Sequence, residues 1–154
     1  MRWLLEKKAS PTYHCTKAPV SPLNDAAWLG DSKAISILLE YGALGRDKKG
    51  RGALHIAVHK KMFSSVKLLL ERDCQVNELY HNKTALTAAL SCGKTGDIRL
   101  VRILIHGKAD VRQATTNTKG LFAEGNWTSH LKFSRKYSNK RCSAAIENAL
   151  NERF

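Results

Sequence analysis

The chain has 154 residues, enough for one ordinary domain, and its 43% apolar content lies near the globular average. No run approaches the roughly 18 consecutive apolar residues of a membrane span. The opening MRWLLEKKASPTYH holds only a short apolar stretch followed by Lys7 and Lys8, the wrong length and order for a signal peptide. The formal net charge of +13 favours acidic partners, without choosing among an acidic protein face, nucleic acid and an anionic membrane surface.

Cys15, Cys74, Cys92 and Cys142 are widely spaced with no CxxC pair, so they read as reduced thiols. The sequons at Asn82-Lys83-Thr84 and Asn126-Trp127-Thr128 read as chance matches in a chain without an export signal. The expectation is an intracellular protein of the cytoplasm or nucleus.

Taken in chain order, the sequence repeats itself. Met1 to Ala9, with Leu4-Leu5-Glu6, matches Val66 to Cys74, with Leu69-Leu70-Glu71. Next comes Ser21-Pro22-Leu23-Asn24-Asp25-Ala26, followed by the pair Leu38-Leu39 and the turn Tyr41-Gly42-Ala43. The middle copy has Gly52-Ala53-Leu54-His55-Ile56-Ala57, then Leu69-Leu70, then Arg72-Asp73-Cys74. The third has Thr84-Ala85-Leu86-Thr87-Ala88-Ala89, then Leu104-Ile105, then Gly107-Lys108-Ala109. Leu23, Leu54 and Leu86 stand 31 and 32 residues apart, and Leu4-Leu5 precedes Leu38-Leu39 by 34.

A period near 33 carrying these motifs, with Val76-Asn77 and Ala109-Asp110-Val111 in the loops, resembles the ankyrin repeat family over about residues 19–113. The resemblance implies an all-α solenoid of stacked helix-turn-helix units joined by short loops. In the middle copy the first helix is expected over Ala53–Lys60 and the second over Ser64–Arg72. Leu54 and Ala57 then share one face of the first helix, and Val66, Leu69 and Leu70 line the second. Neither stripe can be buried within one unit, so each needs a neighbouring copy. Residues 1–18 read as a partial repeat (its second helix) and a loop, 19–113 as three repeats, and 114–154 as a basic tail. An opening on a second helix suggests a fragment of a longer array.

Some positions depart from the family pattern. Asp25 stands where an apolar residue is usual, and Lys8, Lys61 and Asp73 replace turn glycines. Lys94-Thr95-Gly96 are about three extra residues between the helices of the third copy. Modest stability and altered turns are expected from these changes. In the tail, Leu131 to Arg141 mixes basic residues with Phe133 and Tyr137, a composition suited to single-stranded nucleic acid or anionic lipid. Ser143–Asn151 reads as a helix with Ile146, Ala149 and Leu150 on one face and Ser143 as its cap.

Catalytic motifs are weak. His55 and His59 share the i, i+4 spacing of a zincin helix, but Ile56 stands where the base would be, and the repeat register makes His55 a structural histidine. Gly93-Lys94-Thr95 lacks the P-loop's upstream glycine, since Ala88 occupies that position, and no buried strand leads into it. No nucleophile elbow or paired carboxylates appear.

The reading is therefore a non-catalytic protein-protein interaction module, monomeric and needing no cofactor, that binds through a concave face and loop tips. The resemblance places the candidates at Trp28 and Leu29 in the first copy. In the second they are Lys48, Lys49, Arg51, His59 and Lys60, and in the third Tyr80, His81, Lys83, Ser91 and Cys92. Trp28 and Tyr80 would anchor a partner and the basic residues would steer an acidic one. The alternatives are a basic-surface binder of nucleic acid or anionic membrane, the tail contributing, and a structural piece of a channel, scaffold or toxin-like array.

Overall fold

The computed structural model describes residues 6, 9–11, 21–43, 52–72, 74–80, 83–92, 97–111 and 140–151. The partial repeat at Leu4-Leu5, the P-loop-like triplet and most of the basic tail lie outside them. Among the described residues the named helices are α1 (Pro22–Leu29), α2 (Ser32–Glu40), α3 (Ala53–His59), α4 (Phe63–Glu71), α5 (Ala85–Leu90), α6 (Ile98–His106) and α7 (Lys140–Asn151). The chain divides into two compact units, Met1–Cys74 and Gln75–Phe154.

Local chemistry starts most of these helices. Ser21, Asp31, Thr84 and Asp97 each accept a hydrogen bond from a first-turn amide, satisfying a donor the helix itself cannot. Pro22 occupies the first turn of α1, where its missing N–H costs nothing. Asp25 follows in the same turn, exposed, where the positive end of the helix dipole favours it. That accounts for a carboxylate at a position usually apolar. Neither Gly52 before α3 nor Met62 before α4 supplies a side-chain cap.

Each repeat closes with the same two backbone bonds. At the end of the first helix, Asp31 N donates to Ala26 O (3.0 Å), Met62 N to Ala57 O (2.9 Å) and Asp97 N to Ala89 O (3.1 Å). The first two bonds span five residues and the third spans eight. The bond that docks the second helix is therefore kept in the third copy despite its longer spacing. At the end of the second helix, Ala43 N donates to Leu38 O (2.9 Å), Cys74 N to Leu69 O (3.1 Å) and Ala109 N to Leu104 O (2.9 Å). These six-to-one bonds satisfy carbonyls left over at the helix C-terminus.

Lys8 and Asp73 lie outside the described residues, and at the described turns a missing glycine does not alter the backbone. Gly30 has φ 73, and Lys61, its equivalent one repeat later, takes φ 58. Gly42 has φ 77, and its equivalent in the third copy is Lys108 at φ 63, while the neighbouring Gly107 stays at φ −74. A left-handed lysine costs about 1–2 kcal/mol relative to the right-handed region. Both turns accept that cost because the closing hydrogen bonds and the burial beneath them specify the backbone.

Helices of six to nine residues are marginal alone, so packing must hold them. In the first unit α1 packs on α2 and α3, α3 on α4, and α2 on α4; in the second, α5 packs on α6 and α6 on α7. Leu23, Leu54 and Leu86 are buried, as are the small Ala26, Ala57 and Ala89 three residues on. Every residue of α3 from Ala53 to Val58 is buried. The single apolar face expected there proves too narrow, because a seven-residue helix packed from more than one side has only its exposed end left over. In the second helices only the first member of each apolar pair is fully enclosed: Leu38, Leu69 and Leu104 are buried, while Leu39, Leu70 and Ile105 are half-buried. On the outside of the first unit, Arg72 donates to Ser36 Oγ at 3.1 Å, tying the end of α4 to α2.

Helix α7 packs on α6 through Cys142, Ile146 and Ala149, spaced four and three residues apart on one face. It already includes Lys140, so Ser143 lies buried within the helix rather than capping it.

Candidate functional site

The first helices end in side chains that the core does not need. In register, Trp28-Leu29 closes α1, His59-Lys60 closes α3 and Ser91-Cys92 follows α5. Trp28 is 50% and Leu29 74% exposed, among the few large apolar residues left open in the described structure. His59 is exposed and Lys60 half-buried.

Packing of α1 against α3 brings two of the candidates together. The Lys60 ammonium stands 3.3 Å from the centroid of the Trp28 ring, within the range of a cation–π contact. It forms no ion pair among the described residues, so its charge is parked on an aromatic face. The turn that follows α1 is tight. A Cβ on Gly30 would come within 2.8 Å of Met62 Sδ.

The second unit places its candidates differently. Tyr80 and Lys83 form an antiparallel bridge, each backbone N–H donating to the other's carbonyl at 3.0 Å. Tyr80 is half-buried and Lys83 exposed. Ser91 Oγ donates back to Thr87 O at 2.8 Å, which turns its hydroxyl toward its own helix. Cys92 is a half-buried free thiol. Lys48, Lys49, Arg51 and His81 lie outside the described residues.

His55 is buried near the start of α3 whereas His59 is exposed at its end. Among the described residues no three His, Cys, Asp or Glu side chains gather in one place. The charge is distributed unevenly as well. The described residues hold 11 Lys and Arg against 9 Asp and Glu, so 11 of the 13 net positive charges belong to the other segments.

A family model described as ankyrin repeats, three copies, matches residues 1–79 and again 23–115. The chain belongs to the ankyrin repeat family. Ankyrin repeats are helical solenoids, generally serve as protein-protein interaction modules, and are typically non-catalytic. Among the described residues of this ankyrin-repeat protein, no helix is long and apolar enough to cross a membrane.

The Trp28–Lys60 contact was not read from the sequence, although both residues were named as candidates. The signal was present: Lys60 lies 32 residues after Trp28, one position beyond the 31-residue step between these copies, where neighbouring first helices meet side by side.

Proposed function

We propose that this ankyrin-repeat protein recognises a partner protein with an acidic surface, using the ends of its first helices and the loops between repeats over residues 19–113. The exposure of Trp28 and Leu29 at the end of a helix whose Leu23, Asn24, Ala26 and Ala27 are buried carries the proposal. Aromatic side chains dominate binding hot spots, and a rigid helix end presents them with little ordering cost. His59, Lys60, Tyr80, Lys83, Ser91 and Cys92 extend the surface in the later copies, with Lys48, Lys49, Arg51 and His81 supplying the loops. Among the described residues Cys74, Cys92 and Cys142 are not joined in disulfides, which suits a reducing compartment, the cytoplasm or nucleus.

One observation favours a second reading. Most of the net charge lies outside the described helices, in segments such as 44–51 and 112–139. A polyanion, nucleic acid or an anionic membrane, would bind there without using the helix ends.

The test is capture from cell extract by the intact chain, washed at low salt and at roughly 0.3 M salt, with and without nuclease. Under the main reading a discrete protein is retained at high salt and lost when Arg51 and Lys60 are reversed to Glu. The melting temperature stays unchanged. Retention that disappears with nuclease and weakens with salt at a log–log slope of about −0.7 to −0.9 per phosphate contact would establish the second reading instead. Capture unaffected by the reversal would remove the helix ends and the loop before the middle repeat from the site.

A further inference from the structure

The Trp28–Lys60 pair has a chemistry more specific than a basic patch. A surface lysine ordinarily pairs with a carboxylate or points into water. Here the ammonium lies 3.3 Å from the indole centroid and forms no ion pair among the described residues. The nearest acidic residue along α1 is Asp25, one turn before Trp28 and exposed, and it does not pair with Lys60. Half of the Trp28 surface and most of Leu29 remain open. Leu29 and Lys60 occupy the same position in successive repeats, so an apolar group and a cation stand at matching ends of neighbouring helices. Lys61, exposed and left-handed, follows immediately.

We infer that Trp28, Leu29 and Lys60 form one composite pocket edge that reads a carboxylate next to an apolar side chain in a partner polypeptide. This rests on the protein-recognition reading above and names what is recognised. The partner's apolar side chain lies on Leu29 and the open part of the indole. Its neighbouring carboxylate accepts from the Lys60 ammonium, which has no carboxylate partner among the described residues. The indole holds the ammonium in place before binding, so little side-chain entropy is lost when the ion pair forms. Burial of the apolar neighbour excludes water from that ion pair and strengthens it. Charge complementarity selects an acidic peptide over a neutral apolar one, because a neutral peptide would cover the ammonium without pairing it.

The experiment selects short random peptides displayed on phage against the intact chain, with counter-screening against Trp28→Ala and Lys60→Met. The methionine keeps an aliphatic stem of similar length on the indole and removes only the charge. Melting temperatures within about 2 °C of the parent establish that both variants fold. The expected result is enrichment of Asp or Glu within two positions of a large apolar residue. Selected peptides should bind Trp28→Ala and Lys60→Met at least about tenfold more weakly, a loss of about 1.4 kcal/mol. Replacing the peptide's Asp or Glu by Asn or Gln should weaken parent binding to the level seen with Lys60→Met.

Failure to enrich peptides, enrichment without an acidic residue, or equal binding to parent and Lys60→Met each overturns the inference. If a protein is still captured from extract at high salt in those cases, the broader recognition reading stands and only this pocket chemistry falls. If nuclease-sensitive material alone is captured, both fall together.

Discussion

Asn77 and Asp110, 33 residues apart, are joined by a hydrogen bond in which the Asp110 backbone N–H donates to Asn77 Oδ1 at 2.7 Å. The two residues lie in corresponding loops of successive copies. The loop that follows the second helix of one copy thus holds the same loop of the next by a side chain. Asn77→Ala removes the acceptor and leaves a part-buried amide to find water. A loss of about 1–2 kcal/mol is expected. Hydrogen exchange at the Asp110 amide checks it: protection falls in the variant, and unchanged protection would show that the bond does not persist in solution.

Two left-handed lysines carry backbone cost. Lys61→Gly and Lys108→Gly should each stabilise the chain by about 0.5–1 kcal/mol, the left-handed penalty less the greater freedom of glycine in the unfolded chain. Gly30→Ala tests the opposite direction. It imposes a side chain at φ 73 and drives a Cβ to 2.8 Å from Met62 Sδ, so its melting temperature should fall. Chemical denaturation of the three variants beside the parent gives the ordering, and a destabilised Lys61→Gly would refute this account of the turns.

Ser65 is fully buried in the first turn of α4, and its Oγ has no hydrogen-bond partner among the described residues. Burying an unpaired hydroxyl is unfavourable, and alanine fills nearly the same space. Ser65→Ala is expected to be neutral or to stabilise by up to about 1 kcal/mol, against the destabilisation typical of buried substitutions. A clear drop in the denaturation midpoint would mean that the hydroxyl is satisfied in solution.

His55 is buried near the start of α3, and a role in the core makes a prediction of its own. His55→Ala should lower stability by about 1–3 kcal/mol, through the cavity and the polar groups it leaves behind. The loss should be the same with and without a chelator. A melting curve of the parent that shifts when chelator is added would instead assign His55 and His59 to a metal.

The repeat was determined by the sequence alone, because its signal is local and recurs: Leu23, Leu54 and Leu86 return in phase with Ala26, Ala57 and Ala89, and all six are buried. Periodicity of this kind reports which residues must leave water, whatever the exact neighbours. It reports less well how completely they do so. Ala53 to Val58 read as a helix with one apolar face and are buried throughout, since enclosure depends on what packs around a short helix. The glycine pattern was similarly incomplete. Lys61 and Lys108 keep left-handed turns that their residue types disfavour, because the closing bonds from Met62 to Ala57 and from Ala109 to Leu104 are worth more than the local preference.

The candidate site divides along the same line. That Trp28 and Lys60 lie near the ends of first helices follows from register and was legible. That one ammonium rests on the other's ring was decided only by the packing of α1 against α3. Contacts between residues a repeat apart depend on helix separation and rotation, and neither quantity is encoded in any single stretch of chain.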